Sequence, residues 1–317
     1  MFTKLDECVI DILRCPLCKS SIALQQDVFI CENCSTLYPK RAISLKNGSE
    51  YVFDFHVNRP NYCLPNGLQK WHDMQDIYEQ VHDDISSVDN LDLYLQQIEG
   101  VKEIYTKQFE IKGSVLDVGG HQGRLRHFLN KDLSMYISID PHLNVFRNID
   151  SQKNLLKAYP CILDACNFLV GFAENLPFAE RSFDWIHMRS VLDHFSDPFI
   201  AMKEAYRVLK HDGRVLIGLR VENRNSNDKT KFHWPFKGVL RRIITKTQRE
   251  GLKGLKKAVI SRIKTLGREP DDHIWHWRVK NLLDLLDKTG FVLEKEYWQN
   301  SVSTAPTCIY ISARKKV

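Results

Sequence analysis

Four cysteines in two pairs mark the start of this 317-residue chain: Cys15-Pro16-Leu17-Cys18 and, twelve residues later, Cys31-Glu32-Asn33-Cys34. Each C-x-x-C turn aims two sulfurs at one point, so two such turns offer a tetrahedral tetrathiolate, the donor set of structural zinc. That shell leaves no open coordination position. Cys15, Cys18, Cys31 and Cys34 are therefore expected to supply folding energy to a module too small for much core. Reduced cysteines packed as small hydrophobes are the plainer alternative, and that is the role expected of Cys8, Cys63, Cys161, Cys166 and Cys308. A redox role would need only one pair.

A second constellation begins where the apolar run Val115-Leu116-Asp117-Val118 enters Gly119-Gly120-His121-Gln122-Gly123, with Arg124 to Asn130 expected to continue as a helix. Glycines tolerate positive φ and let backbone amides approach an anionic or zwitterionic ligand at a helix start. A second strand, Tyr136-Ile137-Ser138-Ile139-Asp140, ends in a carboxylate followed by Pro141. An acid there can accept both hydroxyls of a ribose lying across the first turn. The turn lacks G-x-G-x-x-G spacing, which disfavours a nicotinamide dinucleotide. A simple turn for the glycines and a helix cap for Asp140 are the structural alternatives.

Further motifs follow in order: Gly171-Phe172-Ala173-Glu174-Asn175-Leu176-Pro177-Phe178, then Ser182-Phe183-Asp184-Trp185-Ile186-His187-Met188, Val191-Leu192-Asp193-His194, and the stretch from Glu204 to Ile217. Together they resemble class I S-adenosylmethionine-dependent methyltransferases of the ubiquinone/menaquinone-type group, over roughly residues 100 to 220. The resemblance implies that Asp117, Gly119 and Gly123 shape a methionine pocket, that Asp140 holds the ribose, and that Ala173 and Glu174 lie beside the adenine. Gly120, His121, Pro141, Phe172 and Arg189 complete the candidate cofactor contacts. His121 stands where that family usually has a glycine, and Phe172 where an acid often precedes Ala-Glu; Phe172 could stack on adenine. Residues around Cys15 to Pro39 resemble the zinc-ribbon activator proteins that partner RNA and protein methyltransferases.

Methyl transfer from a sulfonium is an in-line displacement, so most of its acceleration comes from alignment. A hydroxyl acceptor must also lose a proton. Asp193 and above all His194, after the fourth strand, are the candidate bases, with simple packing as the alternative for His194. The cluster Asp271-Asp272-His273-Ile274-Trp275-His276-Trp277 offers His273 as a further acceptor-facing group, although it equally suits the first turn of a helix over Val279 to Thr289.

Apolar runs alternate with helical periodicity after Gly113, which predicts an α/β fold: a seven-stranded, doubly wound, Rossmann-like sheet preceded by a small zinc ribbon. Strands are expected at Ser114–Val118, Met135–Asp140, Leu169–Phe172, Phe183–Met188, Arg214–Leu219, Phe291–Trp298 and Thr307–Ala313, and a helix from Leu91 to Phe109. The expected divisions are a ribbon at 1–48, a connector with a lead-in helix at 49–92, and a class I methyltransferase domain at 93–317 carrying a basic helical insertion at about 222–270. Between Lys229 and Arg268 stand thirteen Lys or Arg and one acid, so that segment carries +12 and the rest of the chain −6 of the formal +6. It reads as a solvated lid, as a surface for anionic lipid or a phosphate-bearing acceptor, or as an RNA grip.

A composition of 43% hydrophobic and 26% charged residues excludes a disordered or fibrous chain. No uncharged apolar stretch approaches the roughly eighteen residues that cross a bilayer, and the first residues lack the apolar core of a signal peptide, so a cytoplasmic protein is expected. The expected function is methyl transfer from S-adenosylmethionine to a hydroxyl, amine or carbon of a small-molecule, sugar or lipid-linked acceptor. An RNA methyltransferase and a catalytically silent binding protein are the alternatives.

Overall fold

The computed structural model describes residues 1–57, 89–129, 133–221, 275–299 and 308–316. The chain divides into two units, Met1–Glu222 with Ile274–Val317, and Asn223–His273. The second lies outside the described residues, and with it His273 and the expected basic insertion; most of the 49–92 connector is also outside them. Among the described residues, no helix is long and apolar enough to cross a membrane.

Five strands precede the expected seven: β1 (Thr3–Lys4), β2 (Ile22–Gln25), β3 (Val28–Cys31), β4 (Leu37–Leu45) and β5 (Gly48–Asp54). Each apolar run predicted as a strand is one, with shifted ends: β6 (Gly113–Val118), β7 (Leu133–Asp140), β8 (Cys166–Val170), β9 (Phe183–Arg189), β10 (Leu209–Arg220), β11 (Phe291–Gln299) and β12 (Cys308–Lys315). The sheet order is β11-β12-β10-β9-β6-β7-β8-β5-β4-β3-β2, with β1 also paired to β8. Among the described residues the sheet therefore has twelve strands, the seven expected ones together with β1 to β5. The reason is that β8 does not end the sheet: β5 pairs with it in parallel through Phe53↔Leu169, and β1 through Thr3↔Cys166.

A boundary at residue 48 falls in the tight turn between β4 and β5, where Leu45 pairs Gly48. The cysteine-bearing segment therefore runs straight into the large sheet. It is pinned elsewhere by backbone pairing: Arg14 N–H donates to Pro177 O at 2.9 Å and Ala179 N–H to Ile12 O at 2.7 Å. Glu50 is buried and accepts from Phe2 N–H, Thr3 N–H and the Thr3 hydroxyl. Lys19 reaches Glu204 at 2.6 Å. Val9, Leu13, Phe29 and Tyr38 join Phe178, Phe183 and Ile186 in one apolar cluster, so a segment too small for a core of its own borrows the domain's.

Helices cover the sheet where their sequences permit. Helix α1 (Glu7–Ile12) precedes the first cysteine pair. Helix α2 (Leu91–Glu103) starts at Asn90, whose side chain accepts from Leu93 N–H at 3.1 Å, and continues as a π-helical turn over Ile104–Gln108. Asp89 accepts from the first amides of α3 (Lys153–Ala158), and Asp197 with Pro198 caps α4 (Pro198–Val208). Helix α5 (Val279–Lys288) buries Leu282, Leu285 and Leu286. The helix expected over Arg124 to Asn130 is only a 3-10 turn, Arg124–His127, among the described residues.

Phe178 joins these parts: it is fully buried, bridges Leu13 and meets the Phe183 ring at 5.0 Å. Phe178→Ala should lower unfolding free energy by about 3–5 kcal/mol in denaturant titration, with the cysteine-bearing segment and the sheet unfolding in one transition.

Candidate functional site

Strand β6 has β7 on one side and β9 on the other, so the chain reverses its direction of travel across the sheet there. Such a reversal opens a crevice at the carboxyl ends of the strands. A cavity of about 400 Å³ occupies it, with walls from the ends of β6, β7, β8 and β9 and from α2.

The turn after β6 is shaped by close approach. Gly119 sits at φ +68°, and a Cβ there would lie 2.3 Å from Val191 Cγ1; a Cβ on Gly120 would lie 2.5 Å from the Asp117 carboxyl carbon. Neither position admits a side chain. His121 also takes a left-handed conformation, φ 48°, which costs a non-glycine residue of order 1 kcal/mol. It is held there because its N–H donates to Asp140 Oδ2 at 3.2 Å and its carbonyl accepts from the Ser138 hydroxyl at 2.9 Å. Asp140, almost fully buried, takes a second amide, His142 N–H, at 2.9 Å. The carboxylate ending β7 and the glycine turn ending β6 thus face one crevice, and the His121 ring lines it without filling it. Burial first, then the charge of Arg124, pushes that imidazole down to about 3, so it is neutral at ordinary pH.

Asp117, Gly119, Gly120, His121, Asp140, Pro141, Phe172, Ala173, Glu174, Arg189 and His194 all line this cavity. Gly123 does not: at φ +72° it packs its backbone against Cys166, Arg126 and Tyr136, behind the turn. Asp193 is buried beside the cavity, its Oδ1 3.9 Å from His194 Nε2 and its carbonyl accepting from Trp275 N–H at 3.1 Å. Phe172 stacks on His56 with ring centroids 4.4 Å apart, tying the end of β8 to the chain beyond β5. The Glu174 carboxylate turns to the loop before α4, its Oε1 accepting from Ser196 N–H and Ser196 Oγ, both at 2.7 Å, and from Asp197 N–H at 3.2 Å.

Asp117 is the centre of a network that sequence reading missed. Its Oδ2 accepts from the Tyr136 hydroxyl, and its Oδ1 lies 2.7 Å from His187 Nδ1. On the far side of that ring, Nε2 lies 2.9 Å from the Tyr105 hydroxyl in the π-helical turn. Burial drives the Tyr105 and Tyr136 phenols well above their ordinary range, so both stay protonated as donors. A histidine inside the apolar run Phe183–Arg189 was the available signal, since a strand covered on both faces rarely spends a core position on one.

The four thiols of Cys15, Cys18, Cys31 and Cys34 gather with all sulfurs within 4.8 Å of one another. Cys15–Cys34 and Cys18–Cys34 are 3.6 Å apart and Cys18–Cys31 3.4 Å. Cys34 N–H points at Cys31 Sγ, and the Tyr38 hydroxyl lies 3.0 Å from Cys15 Sγ.

Residues 116–217 match the family described as a methyltransferase domain. The chain is 30% identical to the uncharacterized methyltransferase YcgJ of Bacillus subtilis over 36% of this chain and 43% of that one. It is 40% identical to the demethylmenaquinone methyltransferase of Thermotoga maritima over 24% and 33%. The chain therefore spans less than half the length of these relatives. Among solved structures, it is similar to a Burkholderia thailandensis 1,6-didemethyltoxoflavin-N1-methyltransferase with bound S-adenosylhomocysteine, at 14% identity and TM-score 0.48, over 83% of this chain and 94% of that one.

Burial raises the Glu174 carboxyl above its ordinary value of 4.5, and hydrogen bonds only partly offset this. A raised folded value makes its contribution to stability full below the unfolded value and lost as pH rises through the folded one. Glu174→Gln keeps an oxygen for all three loop donors. It should therefore hold or raise the melting temperature at pH 7 while flattening the fall in stability above about pH 5, read by thermal scans across pH.

Proposed function

We propose that the chain is an S-adenosylmethionine-dependent methyltransferase of class I fold, acting on a small-molecule, sugar or lipid-linked acceptor. The observation that carries this reading is the pairing of Asp140 with the glycine turn across one crevice, where the His121 amide meets the Asp140 carboxylate at 3.2 Å. The residues fit the cofactor. Asp140 is an acid at a strand end for a ribose diol, Gly119 and Gly120 expose backbone where a Cβ has no room, and Ala173 and Phe172 offer an apolar wall for a base. When bound, S-adenosylmethionine supplies an electrophilic methyl group on a sulfonium. This chain's own residues would orient the nucleoside and exclude water from the crevice, which is where an in-line displacement gains its rate. Neutral His121 adds no positive charge against a sulfonium.

Structural zinc is the second part of the proposal. A tetrahedral tetrathiolate with Zn–S near 2.3 Å has edges of about 3.8 Å, and separations of 3.4 and 3.6 Å need only a slight opening to match. Tyr38 and the Cys34 amide would orient the thiolates as outer partners. Because this segment shares its core with the domain, the metal would stabilise the cofactor crevice as well as its own turn.

Two measurements test the reading. Calorimetry should detect S-adenosylmethionine binding, and Asp140→Ala should weaken it at least tenfold while leaving the circular dichroism spectrum intact; unchanged affinity removes Asp140 from the site. Elemental analysis should find about one zinc per chain, lost in the Cys31→Ser, Cys34→Ser double variant with a fall in melting temperature. Zinc retained by that variant contradicts the tetrathiolate.

A further inference from the structure

An acceptor hydroxyl must shed its proton as it is methylated, and four imidazoles line the cavity: His121, His142, His187 and His194. His121 is pushed down to about 3 and is a poor proton acceptor. His194 Nε2 lies 3.9 Å from Asp193 Oδ1. His187 is held on both sides, 2.7 Å from Asp117 Oδ1 and 2.9 Å from the Tyr105 hydroxyl.

The direction of that chain follows from its members. A carboxylate only accepts, and Asp117 Oδ2 is already engaged by the Tyr136 hydroxyl, so Oδ1 must receive His187 Nδ1–H. In the neutral ring Nε2 is then a lone pair, and Tyr105 O–H donates to it. The Tyr105 oxygen keeps lone pairs of its own on a residue that lines the cavity. Nucleophile-side hydroxyl, imidazole and orienting carboxylate stand in the order used wherever an imidazole takes a proton under the control of a buried acid.

Resting on the methyltransferase reading above, we propose that Tyr105 and His187 are the proton exit of this cavity and that its acceptor is a hydroxyl compound. The acceptor O–H donates to the Tyr105 oxygen while Tyr105 passes its own proton to His187 Nε2. The acceptor oxygen forms the new O–CH3 bond as the CH3–S bond breaks, its electron pair staying on sulfur to leave a neutral thioether. His187 ends as an imidazolium facing Asp117 and releases its proton to water after product leaves. Tyr105 touches the acceptor; His187 acts through Tyr105, and Asp117 and Tyr136 are positioning residues. A free amine attacks through its lone pair and sheds its proton before or after transfer, whereas a neutral hydroxyl must lose its proton as it attacks, so the exit serves a hydroxyl best. Asp117 from β6 and Tyr105 from the π-helical turn face His187 directly; behind them stand Tyr136 from β7 on Asp117, and Tyr310 from β12 with its ring 6.4 Å from Tyr105 and its hydroxyl accepting from Arg189 Nε at 3.1 Å.

Nitrogen-15 NMR of histidine-labelled full-length protein should find His187 neutral with the proton on Nδ1; the Nε2–H tautomer overturns the proposal whatever the acceptor is. Calorimetry with S-adenosylhomocysteine should give affinities within threefold of one another for the unchanged protein, Tyr105→Phe and His187→Asn. A tenfold loss in both variants would make the network a brace for the cofactor and overturn the proposal, whereas no binding by the unchanged protein defeats the methyltransferase reading itself. Methyl transfer is then measured to benzyl alcohol, phenol, 4-nitrophenol already ionised in mild alkali, and benzylamine. Both variants should lose about a hundredfold in kcat on the neutral hydroxyls and little on nitrophenolate, with the basic limb of the kcat–pH profile displaced. Equal loss on nitrophenolate, or methylation of the amine alone, overturns the proposal. Should no probe turn over, the tautomer decides.

Discussion

A carboxylate stripped of water must be repaid in hydrogen bonds, and Asp117 sets that requirement for the whole crevice. It is almost fully buried in the strand on which the sheet reverses. Tyr136 reaches it from β7 and His187 from β9, and Tyr105 extends the chain to the helical layer. Three elements are thereby fixed to within a hydrogen bond of one another at the place where the cavity begins. The same carboxylate also excludes any side chain from position 120, so the turn that shapes the cavity is a consequence of its burial.

The larger frame was legible because its signals are local. Seven apolar runs announce seven strands, and the two cysteine pairs announce a common point for their sulfurs. Strands β1, β4 and β5 were hidden for a different reason. Strand β5 mixes exposed and buried positions and, like the two-residue β1, takes its meaning from β8, far along the chain. Pairing between distant segments leaves no periodicity in either one.

The crevice divides in the same way. Gly119 and Asp140 were readable from turn chemistry at strand ends, and Asp117 through the family resemblance. Glu174 was readable as a polar residue near the crevice but not as the anchor of the 196–197 loop, because its partners depend on where α4 begins. Tyr105 and His187 were not readable as a pair at all. They meet only because Asp117 is registered directly against His187 and a π-helical turn rotates Tyr105 inward. His121, which breaks the glycine pattern, is tolerated since its backbone amide and carbonyl are both tied to β7.

The parallel pairing of β5 with β8 also governs the order in which the molecule can assemble. During synthesis Phe53 leaves the ribosome long before Leu169, the residue it must lie beside, exists. The cysteine-bearing turns can gather early, yet their outer strand has to wait, unzipped, until the third strand of the domain arrives. Long-range parallel pairing is slow to form, so the nascent chain passes through a period in which β5 presents an open edge. Asp54 on that edge and Lys40 and Arg41 on the adjoining β4 are charges of the kind that discourages a neighbour from annealing there.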